Sequence, residues 1–222
     1  MDTVDIDIES QVEYRPIKKR FTMNIHKFIT VLFLGTIMSL IMMKRPLLCK
    51  SNDYVIFGYE NNHMSQHMID PYSITHTLHG LIMFRIFSQF IKNDMNLLCT
   101  IVVSCVWEII ENTPMIINMY RQDAVNAGYY GDSVLNSTSD ILFSLLGWLI
   151  SANISLFWSI IIYIISDCIC MLWIGDNLIR NIFILSNTVD ITILLISSTW
   201  IFKLVIEGAI FSIGAMMVKK LK

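Results

Sequence analysis

Charge is what this 222-residue sequence has least of. Asp, Glu, Lys and Arg together make up 15% of it, against about 25% in an ordinary globular chain. Hydrophobic residues supply 55%, and the mean hydropathy is +0.59. So few charges cannot cover a water-facing surface, which excludes a disordered tail, a secreted disulfide scaffold and a soluble nucleic-acid binder. A net charge of −2 leaves no basic field to attract nucleic acid. Cysteine pairs are missing as well. Cys99, Cys105, Cys168 and Cys170 lie in apolar runs, and no Cys-x-x-Cys occurs to hold zinc, so they read as small buried hydrophobes. Cys49 follows Arg45-Pro46-Leu47-Leu48 rather than the small residues of a lipoprotein cleavage site. A cleavable signal is not expected, because the acidic stretch from Asp2 to Glu13 precedes the basic one. The sequence also lacks Gly-x-Gly-x-x-Gly, a phosphate loop, His-Glu-x-x-His and Gly-x-Ser-x-Gly. It has no internal repeat of the kind that builds inverted-repeat transporters.

What it does have is a series of long apolar runs. A spanning helix needs roughly 20 mostly apolar residues. Candidates run from about Phe28 to Met43, Ile74 to Ile91, Met95 to Ile110, Ser133 to Ile150 and Ile154 to Ile174. A last one extends from about Ile191 to Met217, after a loosely placed segment. The fold class this predicts is all-α, a polytopic transmembrane helical bundle of about six spans. Residues 1–27 read as a cytoplasmic segment, 28–218 as the transmembrane domain and 219–222 as a basic cytoplasmic tail. Lys18, Lys19, Arg20 and Lys27 before the first span, with Lys219, Lys220 and Lys222 after the last, place both termini inside. Lys44, Arg45 and Lys50 fall on the other side of that assignment.

With this topology the polar residues gather on the outer face. His76 and His79 are three apart, as are Glu108 and Glu111, while Asp132, Asn136 and Asp140 are spaced by four. Each set shares one face of its helix. Ionisable groups within spans are costly and turn toward a bundle interior or a wet cavity. Facing imidazoles and carboxylates there provide general acids and bases, or ligands for a divalent metal. His76, His79, Glu108, Glu111, Asp132 and Asp140 are therefore the candidate catalytic residues. Plainer roles stand beside these. Asp132 can cap the fourth span through the N–H of Val134 or Leu135, Glu111 can pair with Arg121 or Arg85, and His76 can simply join helices. Tyr129 and Tyr130 are natural interfacial anchors. The best reading is an intramembrane hydrolase or transferase acting on a membrane lipid or lipid-linked head group, with no nucleic-acid partner. A carrier of ions or small molecules and a scaffold are the alternatives. A carrier needs polar groups continuing to the inner face, and the inner halves of the third to fifth spans are apolar.

Several stretches also resemble a family. Ser65-Gln66-His67, Ser73-Ile74-Thr75-His76-Thr77-Leu78-His79-Gly80 and Trp107-Glu108-Ile109-Ile110-Glu111-Asn112-Thr113-Pro114 come first. Tyr130-Gly131-Asp132-Ser133, Asn136-Ser137, Ser139-Asp140, Asp176-Asn177-Leu178 and Asn181 follow in order. They are similar to an uncharacterised bacterial inner-membrane family (domain of unknown function 2585; uncharacterised protein family 0314). The resemblance covers about Ser65 to Leu185 and implies a multi-pass plasma-membrane protein. It implies no activity, substrate or catalytic residue. A fainter similarity of span order and His/Glu/Asp placement links the chain to VanZ-type membrane proteins.

Overall fold

The computed structural model describes residues 25–51, 55–59, 63–91 and 93–188. The expected last span (Ile191–Met217), the tail 219–222 and the lysines and arginine at 18–20 lie outside the described residues. Every named element is a helix: α1 (Ile25–Met42), α2 (Tyr72–Ser88), α3 (Asn93–Glu111), α4 (Pro114–Tyr120), α5 (Val134–Asn153), α6 (Leu156–Ile174) and α7 (Leu178–Thr188). One isolated parallel bridge, Phe57 to Ile69, is the extended pairing among the described residues. The described residues form an all-helical fold. Helices α5 and α6 are long and apolar enough to cross a membrane, and the bent pair Met95–Glu111 and Pro114–Tyr120 adds a third if it forms one span.

Helix boundaries follow local chemistry. Ser133 and Ser155 start α5 and α6, their hydroxyls accepting the N–H of Asn136 and Trp158. Gly175 ends α6 in the left-handed region at φ +70°, where glycine has no Cβ to clash. Between α3 and α4 the chain bends by 76°. Pro114 disfavours helical geometry at Thr113, which is extended at ψ 149° and whose hydroxyl accepts from Ile116 N–H.

The frame is the α2–α5 pair. A Cβ on Gly80 would lie 1.7 Å from the Ser144 carbonyl oxygen, and one on Gly147 would lie 1.8 Å from that of Thr77. The two backbones therefore touch, as small residues at a helix–helix seam permit. Ser144 Oγ donates to the His76 carbonyl across the same seam, at 3.1 Å. Helices α1 and α3 pack beside it through Ile101, Cys105 and Ile141, with Leu32 and Phe33. Helices α4 and α7 form a smaller cluster around Ile116, Met119 and Tyr120.

The burial pattern is inside-out. On α6 the buried residues are Ser159, Asp167 and Cys170, while Leu172, Phe157 and Trp158 are exposed. On α5 the buried set includes Asn136, Ser137, Asp140, Ser144 and Ser151, and Leu142, Leu146 and Leu149 face outward. Water selects the reverse pattern. Small and polar residues inside with large aliphatics outside is how helices pack when the surroundings are themselves apolar.

Candidate functional site

The site begins with a loop. Ser65 to His67 folds over the start of α5: Ser133 N–H donates to the Ser65 carbonyl, and Ser133 Oγ to that of Gln66, each at 2.9 Å. Gln66 Nε2 returns to the Gly131 carbonyl, and Asn136 Nδ2 to that of His67. Asp70 is fully enclosed. Its oxygens accept the N–H groups of Ser65 and Ser73 at 2.7 and 3.1 Å, yet burial outweighs these bonds and pushes its carboxyl up to about 6.

The second support is a reciprocal pair. Asn112 Nδ2 donates to Asp132 Oδ2 at 2.7 Å, while Asp132 N–H donates to Asn112 Oδ1 at 2.8 Å. Tyr129 Oη donates to the other carboxylate oxygen at 3.0 Å. Burial raises the Asp132 carboxyl despite these donors. Asp132 does not cap α5, contrary to one sequence expectation. Ser133 does, and the N–H groups of Val134 and Leu135 donate to the carbonyls of Pro46 and Leu47. Glu111 is not paired with an arginine either. Arg85 donates to Ser151 O, Ile154 O and Ser159 Oγ, and Arg121 stacks on the Tyr130 ring.

These supports surround a cavity of about 320 Å³. His76, His79, Glu111, Asp132 and Asp140 line it. Glu108 stands behind the wall, 1% exposed, with Oε1 3.4 Å from His76 Nδ1. His76 Nε2 lies 3.8 Å from Asp140 Oδ2 on α5, so this imidazole bridges α3 and α5. His79 meets the His76 ring edge-on at 5.3 Å and Trp107 at 6.1 Å. The other wall is apolar, built from Ile82, Met83, Ile86, Val103, Ile182 and Leu185. Ile86 and Ile182 are themselves exposed on the outer surface.

Two sets of potential ligands occur here, His76–Glu108–Asp140 and Glu108–Glu111–Asp132, each with its ligand atoms within 4.8 Å of one another. A third, Cys49–His63–His67, lies away from the cavity. There His67 Nδ1 meets the Val55 carbonyl at 2.7 Å, and His63 Nδ1 is 3.0 Å from His67 Nε2. Sequence reasoning left this group unrecognised because two loops bring it together. It also passed over the Tyr72 hydroxyl, which donates to Asn126 and Asp176 across the cavity mouth at 2.9 and 3.1 Å. The position of Asp176 in the ordered motifs was the available signal.

Comparison with known proteins agrees with these motifs. The family described as "Protein of unknown function (DUF2585)" matches residues 40–198. A UPF0314 protein of Agrobacterium fabrum is 32% identical over 165 residues, covering 72% of this chain and 83% of its own length. One from Sphingopyxis alaskensis is 34% identical over 158 residues, covering 68% and 83%. One from Rhizobium meliloti is 34% identical over 129 residues, covering 57% and 66%. No solved structure matches the chain. The matched region runs from the end of α1 through α7 and contains every wall of the cavity, and the chain belongs to the DUF2585 (UPF0314) family.

Proposed function

We propose that the protein is a multi-pass inner-membrane hydrolase or transferase acting on the head group of a lipid or lipid-linked molecule at the outer leaflet. The observation that carries this reading is the two-faced cavity. One end is lined by His76, His79, Glu111, Asp132 and Asp140, and the other by aliphatic side chains that continue to the exposed flank at Ile86 and Ile182. An amphipathic molecule fits such a space, its polar head among the ionisable groups and its chain along the apolar wall. His76, held between two carboxylates, and His79 beside it are the groups to take and return a proton. Glu111 and Asp132 are positioned to orient the head group.

The opposite end favours an enzyme over a carrier. Beyond His76 the α2–α5 seam closes at Gly80 and Gly147, then ends in the bonds Arg85 makes to Ser151, Ile154 and Ser159. Among the described residues, the polar groups beyond the cavity, Thr100 and Asn96 on α3 and Ser144 and Ser151 on α5, are spent on bonds within the bundle. The test is mass spectrometry of a defined phospholipid mixture incubated with purified protein in nanodiscs. The parent releases or transfers a head group, and a folded His79→Gln variant does not. Identical lipid profiles with parent and variant would overturn the reading. In intact cells, Ala127→Cys is expected to react with an impermeant thiol reagent from outside. Protection there would invert the topology.

A further inference from the structure

Four carboxyl groups, those of Glu108, Glu111, Asp132 and Asp140, gather at the polar end of the cavity. Among the described residues, no lysine or arginine is in ion-pair contact with any of them. Arg45 comes nearby, but its guanidinium donates to the main-chain carbonyls of Asp132 and Tyr130. Arg180 pairs with Asp123 instead. Buried carboxylates without cations are expensive, and removing water leaves each oxygen needing a partner. Four oxygens have no hydrogen-bond partner: both of Glu108, Oε2 of Glu111 and Oδ1 of Asp140. Glu108 and Asp140 are 1% and 2% exposed, so bulk water does not serve these atoms.

The geometry supplies what is missing. The two ligand sets share Glu108: His76 and Asp140 complete one, and Glu111 and Asp132 the other. A carboxylate shared by two incomplete ligand sets, with no hydrogen bond to either oxygen and only the 3.4 Å approach of His76 Nδ1 to Oε1, is placed to bridge them. Resting on the reading of this cavity as the functional site, we propose that it holds a carboxylate-bridged pair of divalent cations. One ion is bound by His76, Glu108 and Asp140, and the second by Glu108, Glu111 and Asp132. Four carboxylates and two dications cancel in charge. The donor sets, one imidazole with carboxylates and carboxylates alone, suit a cation such as Mn²⁺ that accepts both nitrogen and oxygen. Asn112 and Tyr129 donate to Asp132 and fix its orientation, as outer-shell groups do around metal ligands. Each Asp132 oxygen keeps a lone pair for the ion.

The experiment is Mn²⁺ titration of chelator-treated, full-length protein in detergent, with free Mn²⁺ read by electron paramagnetic resonance. The parent should bind two equivalents. Asp140→Asn and Asp132→Asn should each retain one, and Glu108→Gln should weaken both sites at least about tenfold. Fewer than two saturable sites in the parent overturns the proposal, as does a Glu108→Gln chain that still binds two at parental affinity. If Glu108→Gln shows no melting transition, the aspartate variants decide, and two retained equivalents in either one overturn the pair. Because the probe is Mn²⁺ alone, two bound ions without head-group turnover would leave this site standing and remove the enzyme reading. Turnover by a metal-stripped chain that binds no Mn²⁺ would do the reverse.

Discussion

The two ends of the α2–α5 pair bury polar groups in opposite ways. At the Arg85 end the buried polar side chains among the described residues are bonded. The guanidinium donates to two carbonyls left open by the end of α5 and to Ser159, and Trp148 and Asn96 close the neighbouring gap at 2.9 Å. At the His76 end, four carboxylate oxygens are orphaned. Buried polarity that is fully bonded holds helices together. Buried polarity left open costs stability unless something else arrives to complete it. The contrast separates a structural knot from a site within a single helix pair.

The largest effect should come from a change that strikes both ends at once. Gly147→Val places side-chain atoms where the Thr77 carbonyl already stands. It should cost more than about 4 kcal/mol, beyond the usual range for point substitutions, and destroy the knot and the site together. Loss of the monodisperse peak in detergent chromatography would register it. Retained folding would mean the two backbones can separate.

Acidity should act on one end only. Burial raises the carboxyls of Asp70, to about 6, and of Asp132, so the native chain holds protons that the unfolded chain releases. The stability this lends is complete below about pH 4 and is lost as pH rises through about 6, a fall of about 3 kcal/mol for Asp70 at 1.36 kcal/mol per pKa unit. Melting temperatures between pH 4 and 7 should decline accordingly in the parent and decline less steeply in Asp70→Asn. A flat parental profile would refute it.

The most direct test sets one residue from each end side by side. Arg85→Met strands the Ser151 and Ile154 carbonyls and should cost about 2 kcal/mol, leaving head-group binding at the other end unaltered. Glu111→Gln removes a charge whose Oε2 has no partner. It should change stability by less than about 1 kcal/mol while abolishing the head-group response. Thermal melts with and without lipid read both. Equal losses of stability in the two variants would erase the distinction between the ends.

Much of this arrangement was legible in the sequence. The apolar runs gave α1, α2, α3, α5 and α6 to within a few residues. The three-residue spacings put His76 with His79 and Glu108 with Glu111 on faces that meet Asp140, whereas Asp132 lies before α5 and is brought in by Asn112 rather than by helical spacing. What escaped depends on long-range contacts. Asp132 and Ser133 are equally good caps by type, and only capture of Asp132 by Asn112, from the bend between α3 and α4, decides between them. Pro114 marked the end of α3, but no local signal told that a short helix would follow at 76°. The Cys49–His63–His67 group needed two loops to fold together first.

The glycine contact in the α2–α5 seam also has a mechanical side. With no side chains between the two backbones at Gly80 and Gly147, nothing there can repack, and the pair behaves as fixed calipers with His76 on one arm and Asp140 on the other. Glu108 and Glu111 are mounted differently, on a helix that ends at the bend before α4. Motion that widens or narrows the cavity therefore falls to α3 and α4, while the His76–Asp140 spacing stays put. Spin labels across α2 and α5 would report a narrow, temperature-insensitive distance, and labels between α2 and α4 a broad one.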